Sequence, residues 1–247
     1  MLANFAIDNQ VFLASLDSAQ MIVHASSACA YPISLQDSET DVRLLNESAA
    51  SLEVSEKCFP DGVYGWTKLM GEYQLENTVR GTRTKGRSAR IFTAYGEREN
   101  ESHAAIALMA KAMLRFEPYP IWGSGEQTRN FTHVVDTVTG ILLLGSDPGE
   151  RTFDVFNVGT SEHIKVIDFV RQIFSQIRWT PDRIELQTDK PTGVASRAAD
   201  NSKIMSAFGW CPTIGIAEGL SRTHEWYMSK PDRPTSAAEL ERLLMAR

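Results

Sequence analysis

Met21-Ile22-Val23-His24-Ala25 is an apolar run of strand length, and Ser26-Ser27-Ala28-Cys29-Ala30-Tyr31-Pro32 follows it directly. An apolar run of this length, closed by small residues and a proline, predicts a buried strand. The hydroxyls of Ser26 and Ser27 and the thiol of Cys29 then fall at its carboxyl end. Ligands of open α/β sheets bind outside the carboxyl ends of the strands, so this edge has the form of an active-site edge. Upstream, Leu2, Phe5, Ala6, Val11, Phe12 and Leu16 recur at helical spacings. Downstream, residues 33–61 are polar and acidic and read as a long surface loop.

Further out the alternation continues. Helical patterns cover 64–79, 104–116, 134–144, 166–177, 202–208 and 216–228, and strand patterns cover 88–92, 119–122, 153–158 and 183–186. Asp136 falls in the first turn of its helix, where the helix dipole favours an acid. The stretch from Ser229 is charged and predicted to be loosely packed up to a Leu240–Met245 pattern. Strands alternating with helices predict an α/β fold with a mostly parallel sheet and helices on both faces. Only three long apolar strands are visible before the last third, which is few for a doubly wound sheet.

Composition removes several function classes. The 247 residues carry 25 Lys+Arg against 31 Asp+Glu, a net charge of -6, which argues against holding nucleic acid or an anionic membrane. No apolar run approaches the roughly 20 residues of a membrane span. The amino terminus lacks the basic start and cleavage site of a signal peptide. Cys29, Cys58 and Cys211 are odd in number and form no CxxC pair, so neither a disulfide framework nor a structural zinc site is expected, and no metal is assigned. Reduced thiols point to the cytoplasm.

The most informative local pattern is Tyr64-Gly65-Trp66-Thr67-Lys68. Residues four apart share a helix face, and an ammonium beside a phenol stabilises the phenolate. The spacing therefore predicts a Tyr64 with a lowered pKa, usable as a base near neutral pH. A serine at the end of the preceding strand could hydrogen-bond the substrate oxygen whose proton the tyrosine takes.

Together with Ser26–Pro32, this pattern resembles the extended short-chain dehydrogenase/reductase family, and within it the NAD-dependent sugar-nucleotide epimerases and dehydratases. Arg90–Gly96, Trp122–Phe131, Phe156–Thr160, Arg197–Ser202 and Phe208–Pro212 resemble further motifs of that group, in the same order. The similarity runs from about Asn4 to Tyr227. It implies a Rossmann-like sheet with an interleaved, smaller substrate-binding region. Residues 1–98 and 129–160 would belong to the sheet domain, 99–128 and 161–228 to the substrate region, and 229–247 to a tail.

The resemblance implies that Ser27, Tyr64 and Lys68 are catalytic, with Tyr64 and Lys68 also contacting NAD. It places Cys29 at an acid/base position of the GDP-mannose 3,5-epimerase branch. His103 falls where that branch has a lysine, and a pKa of about 6.5 suits imidazole to proton transfer. Arg129 and Arg197 are implied to hold a nucleoside diphosphate, a task suited to bidentate guanidinium groups. Asn130 and Thr93 are implied to meet the substrate, although Thr93 stands where many members carry an asparagine. The residues themselves leave alternatives open: Cys29 as a small buried hydrophobe, His103 as a helix cap, Arg197 as a surface cation, and His24 and Met109 as core.

The family's Gly-rich phosphate turn, which would lie before the apolar strand, does not occur in the sequence. The expected fold is therefore an N-terminally truncated Rossmann-like sheet, with the strand at 21–25 at an open edge and a tendency to associate. A homodimer is expected. The expected function is a sugar-nucleotide epimerase or dehydratase acting through a transient keto sugar, with the chain as a fragment of the full enzyme. The alternative is a non-catalytic paralogue that binds a nucleotide sugar or a protein partner.

Overall fold

The apolar run becomes strand β1 (Met21–Ser27) in a computed structural model that describes residues 2–146 and 149–245. Met1 and residues 246–247, assigned above to the two ends of the chain, lie outside the described residues. Helix α1 (Leu2–Ser15) precedes β1. The segment after it contains strand β2 (Leu44–Leu45), and helix α2 (Gly62–Val79) leads to strand β3 (Lys85–Ile91). β3 pairs in parallel with β1, Met21 opposite Lys85 and Ser27 opposite Ile91. The next third holds β4 (Ala94–Tyr95), α3 (Ala104–Met113), β5 (Tyr119–Trp122), β6 (Thr128–Arg129), β7 (Thr132–His133) and α4 (Val134–Gly145). Strand β8 (Phe153–Val158) then adds to the free side of β3, so the main sheet is parallel in the order β1-β3-β8.

Alternation along β1 sends side chains to two layers. Ile22 packs with Phe12, Leu75 and Val79 under α1 and α2, while Val23 joins Ala89, Leu144 and Phe156 under α4. The α/β class and the parallel sheet agree with the sequence pattern. β1 is the outer strand, and no described strand pairs with its other side.

A second core forms around α3 and α5 (Val166–Ile177), which follows strand β9 (Ile164–Lys165). Phe131 stacks on Phe169 with ring centroids 3.8 Å apart, and Tyr95 meets both edge-on. Met109 is buried there, as its core reading predicted. Strand β10 (Ile184–Gln187) pairs in parallel with β5 beside this core. Strand β11 (Ala198–Ala199) pairs with β2, and helices α6 (Ser202–Phe208), α7 (Ile216–Ser229) and α8 (Ala237–Met245) complete the chain. Asp136 does more than complement a helix dipole: it accepts hydrogen bonds from the Thr213 and Ile214 N–H groups and pins the segment before α7.

The Leu240–Met245 pattern falls in α8, where Leu240 is fully buried with Ile106, Ala110 and Tyr227, and Leu240 and Leu244 share one helix face. One expectation needs correction: 33–61 is not only a surface loop, since Leu45 and Ala50 are buried and β2 is paired. A buried polar network holds this segment down. Arg90 donates to both Glu72 carboxylate oxygens, at 2.7 Å from Nη2 to Oε2 and 3.0 Å from Nε to Oε1, and to the Glu47 and Ala50 carbonyls. Its guanidinium covers the Tyr31 ring at 4.8 Å, and Tyr31 Oη donates to Asn157 Oδ1 at 2.6 Å. Asn157 in turn donates to the Leu45 carbonyl at 2.6 Å.

Candidate active site

β1 ends at Ser27, whose Oγ accepts the Cys29 N–H at 3.1 Å and so caps the short helical turn Ala28–Ala30. The first turn of α2 lies against this turn. It can approach because position 65 is glycine: a Cβ there would run into the Cys29 carbonyl oxygen. Close approach brings the Tyr64 side chain to the Ser27 end of β1, where the Ser27 hydroxyl favours the phenolate. Lys68, one helical turn on, donates from Nζ to the Ala25 carbonyl at 2.8 Å and lies 5.5 Å from the centre of the Tyr64 ring.

The pKa of Tyr64 is pushed up, not down: burial raises it first and the neighbouring Cys29 adds to that, against the smaller lowering by Ser27. The expected lowering fails because Lys68 is held on a β1 carbonyl over the face of the ring rather than against the phenol oxygen.

Cys29 faces Arg197. Nη1 of Arg197 lies 3.3 Å from the Cys29 sulfur, Nη2 donates to Asp61 at 2.9 Å and Nε to Gln36 Oε1 at 2.7 Å. Its side chain is only 11% exposed, so Arg197 is not a surface cation. Arg129 donates to the Thr128 and Thr192 carbonyls, each at 2.7 Å. Burial, with Arg197 nearby, pulls the Arg129 pKa down to about 10. Asp61 balances Arg197, whereas the hydrogen bonds of the desolvated Arg129 go to neutral carbonyls, so its charge favours a negative neighbour.

Arg129 also lines a cleft of about 450 Å³, whose wall includes Thr93, Glu99, His103, Lys111 and Trp122. His103 occupies the position before α3 without capping it through its side chain; its Nδ1 lies 3.2 Å from Glu99 Oε1. Asn130 is fully buried and donates to the Thr160 carbonyl at 2.9 Å. His24 is buried in the sheet layer, as its core reading predicted.

Two cleft residues escaped the sequence reading. Lys111 is 8% exposed and its pKa is lowered by burial. Its position gave little signal, since eight residues from His103 is about 80° round the helix. Glu99 precedes His103 by four residues in a loop, where helical spacing gives no guide. Among the described residues no group of three His, Cys, Asp or Glu could hold a metal ion, and no helix is long and apolar enough to cross a membrane.

A parallel sheet carrying Ser27, Tyr64 and Lys68 at its carboxyl edge, with Arg129 in the wall of the neighbouring cleft, defines a Rossmann-like protein. The model of the NAD dependent epimerase/dehydratase family matches residues 1–159, and the chain belongs to that family. It is 30% identical over 224 residues to GDP-mannose 3,5-epimerase 1 of Oryza sativa subsp. indica, covering 88% of this chain and 56% of the relative. A putative GDP-L-fucose synthase 2 of Arabidopsis thaliana is 26% identical over 233 residues, covering 89% and 66%. The chain thus spans little more than half the length of the first of these relatives. Among solved structures, MoeE5 in complex with UDP-glucuronic acid and NAD is similar at a TM-score of 0.75 and 27% identity, covering 90% of this chain and 70% of that one. NAD is the cofactor of the family to which the chain belongs.

Proposed function

We propose that the chain carries the catalytic and substrate-binding parts of an enzyme that epimerises or dehydrates a nucleoside-diphosphate sugar through a transient keto intermediate. The observation that carries this reading is the close approach of the first turn of α2 to the Ser27–Cys29 end of β1, which sets Tyr64 there with Lys68 one turn behind, held on the Ala25 carbonyl. On this reading residues 1–98 and 129–160 belong to the sheet part, 99–128 and 161–228 to the substrate part, and 229–247 to a tail, of which α8 packs on α3. The similarity to a GDP-mannose 3,5-epimerase and to a UDP-glucuronic acid complex supports a nucleotide sugar as substrate.

Tyr64 and Lys68 fit the nicotinamide-ribose end of NAD: a phenol and an ammonium stand on one helix face at the strand's carboxyl edge, where a cofactor would lie. No Gly-rich turn for the pyrophosphate occurs within these residues, so they would hold only that end of the cofactor. NAD, when bound, accepts a hydride and returns it. Tyr64 takes the hydroxyl proton of the sugar, with Ser27 holding the same oxygen. The resulting carbonyl acidifies the neighbouring C–H bonds. Cys29, near Arg129, and His103, in the same cleft wall as Arg129, remove and return protons at those carbons. Thr93 and Asn130 shape the sugar end of the cleft, and Arg129 and Arg197 hold the diphosphate.

Calorimetric titration with GDP tests the diphosphate assignment. Replacing Arg129 by alanine removes a charge-assisted contact worth about 1.5–3 kcal/mol, so Kd is expected to rise by about tenfold or more. An unchanged Kd would remove Arg129 from the site.

We also propose a homodimer. Val63, Trp66 and Tyr73 form an exposed apolar stripe along α2, next to exposed Ile7 and Val11 on α1. Such contiguous patches mark association surfaces. Light scattering is expected to give twice the monomer mass, and Trp66→Glu to give the monomer with catalysis per chain retained at high concentration. Cys29, Cys58 and Cys211 are free thiols, which supports a reducing, cytoplasmic location.

A further inference from the structure

A second concavity lies against α3, apart from the candidate active site. It measures about 290 Å³ and sits between the end of α3, the end of α5, α7 and the segment that leads into α8. The two hollows share no lining residue: Ala107 and Lys111 of α3 line the cleft, while Ala110 and Met113 line this pocket. Its apolar wall is made by Met113, Ile177, Trp179 and Tyr227. Trp179 stands edge-on to Phe174, with ring centroids 5.7 Å apart, and Tyr227 is buried with Ile106, Ala110 and Leu240. Both aromatic rings are therefore held in place by the core behind them.

Three side chains that bear nitrogen complete the wall: Arg115, His224 and Arg233. Arg115 ends α3 in left-handed backbone, at φ 55°, a position that favours glycine. The N–H groups of Arg115 and Phe116 close the helix there on the Ala112 and Lys111 carbonyls. Arg233 comes from the segment before α8. Burial, with Glu101 adding to it, raises the Tyr227 pKa, and Arg233 is near enough to that phenol to oppose the rise. Among the described residues no carboxylate lines the pocket, and none pairs with either guanidinium. The acids nearby turn to a lysine instead: Glu101 is 2.7 Å from Lys230, and Asp232 is 3.8 Å from the same ammonium. Burial lowers the His224 pKa, against Glu225 on the same helix, so its ring is neutral at neutral pH. The wall thus carries two unbalanced positive charges over an aromatic floor.

We infer that this pocket is a binding site for a small aromatic anion, a flat apolar body carrying one phosphate or carboxylate group. A concave, mostly apolar pocket with a few convergent polar groups is the common form of a small-molecule site, and this volume lies at the lower end of such sites. Trp179 and Tyr227 offer ring faces and edges to the flat body. The guanidinium groups suit the head group, because they bond bidentately to phosphate or carboxylate oxygens. An anion bound there also favours the charged form of His224. The charges that face His224 are Arg115 from the end of α3, Arg233 from before α8 and Glu225 on α7; the end of α5 brings only Ile177 and Trp179 to the wall. The site does not depend on the function proposed above.

The test is calorimetric titration of the full chain with phenyl phosphate and with benzoate, beside inorganic phosphate and benzyl alcohol. Saturable binding of an aromatic anion is expected, with inorganic phosphate and benzyl alcohol each weaker by about tenfold or more. The tighter of the two aromatic anions names the head group. The double variant Arg115→Gly with Arg233→Gln is expected to raise its Kd by about tenfold or more. Glycine is at ease in left-handed backbone, so the end of α3 is kept in that variant. Arg129→Ala is expected to leave the Kd unchanged, which separates this pocket from the cleft. In spectra of ¹³C-labelled histidine, assigned with His224→Gln, the His224 protonation midpoint is expected to rise on binding. Any one of four results would overturn the site: no saturable binding of either aromatic anion, the wild-type Kd in the double variant, loss of binding in Arg129→Ala, or inorganic phosphate bound as tightly as phenyl phosphate.

Discussion

Replacement of Tyr64 by phenylalanine is expected to lower product formation from a nucleoside-diphosphate sugar by about 10²–10⁴-fold, the range of general acid–base catalysis. Phenylalanine fills the same space on α2, so the helix and its approach to Cys29 are retained. What disappears is the hydroxyl at the Ser27 end of β1. Substrate affinity is expected to change little, because the cations of the cleft are untouched, and the loss should fall on kcat. The pH dependence follows from the direction of the shift. Burial raises the Tyr64 pKa, so the phenol is protonated at neutral pH and its phenolate fraction grows as pH rises. Wild-type kcat is therefore expected to climb from pH 7 towards pH 9, and this climb should be absent from whatever activity Tyr64→Phe retains. A Tyr64→Phe variant with wild-type kcat would assign the acid/base role elsewhere.

Replacement of Glu72 by alanine is expected to cost about 3–5 kcal/mol of stability, because it strands a buried guanidinium. Arg90 is 2% exposed, and Glu72 supplies the carboxylate that balances it. Glu72 also accepts the Ser26 hydroxyl at 2.5 Å, so its loss leaves a second donor unpaired one residue before Ser27. Against a total stability of about 5–15 kcal/mol, the midpoint of urea unfolding should fall sharply. The pair replaced together, Glu72→Leu with Arg90→Met, is expected to recover much of the loss, because both charges then leave the interior. If the single and double variants unfolded at the same urea concentration, the network would be ordinary packing rather than a charge balance.

These two effects show where sequence reading succeeded and where it stopped. β1 was legible as a short apolar run, and β8 from Phe153, Val155, Phe156 and Val158; β3 was legible only from Ser88 on, because Lys85, Gly86 and Arg87 at its start carry no apolar signal. Ser27, Tyr64 and Lys68 were legible because one strand end and one helical turn place them. The direction of the Tyr64 shift was not, since it depends on which acceptor Lys68 finds, and that is a β1 carbonyl reached across 43 residues. Arg90 stands in a strand and Glu72 in a helix, and nothing local says that they meet in the interior. Residues 33–61 read as surface because their polar composition conceals Leu45 and Ala50, which are held down by Arg90 and Asn157 from distant strands. Likewise Arg197 reaches Cys29 from 168 residues away, a contact that only the folded chain creates.

The central claim is that the groups around the carboxyl end of β1 and the cleft move protons to and from carbon on a nucleoside-diphosphate sugar. The most direct measurement is mass spectrometry of GDP-mannose recovered after incubation with the chain and NAD in deuterated water. The account predicts deuterium at carbon-bound positions of the hexose, dependent on NAD and abolished in Tyr64→Phe. Tight binding of GDP-mannose with no deuterium at carbon, at saturating NAD, would contradict it and leave the cleft as a nucleotide-sugar binding site alone.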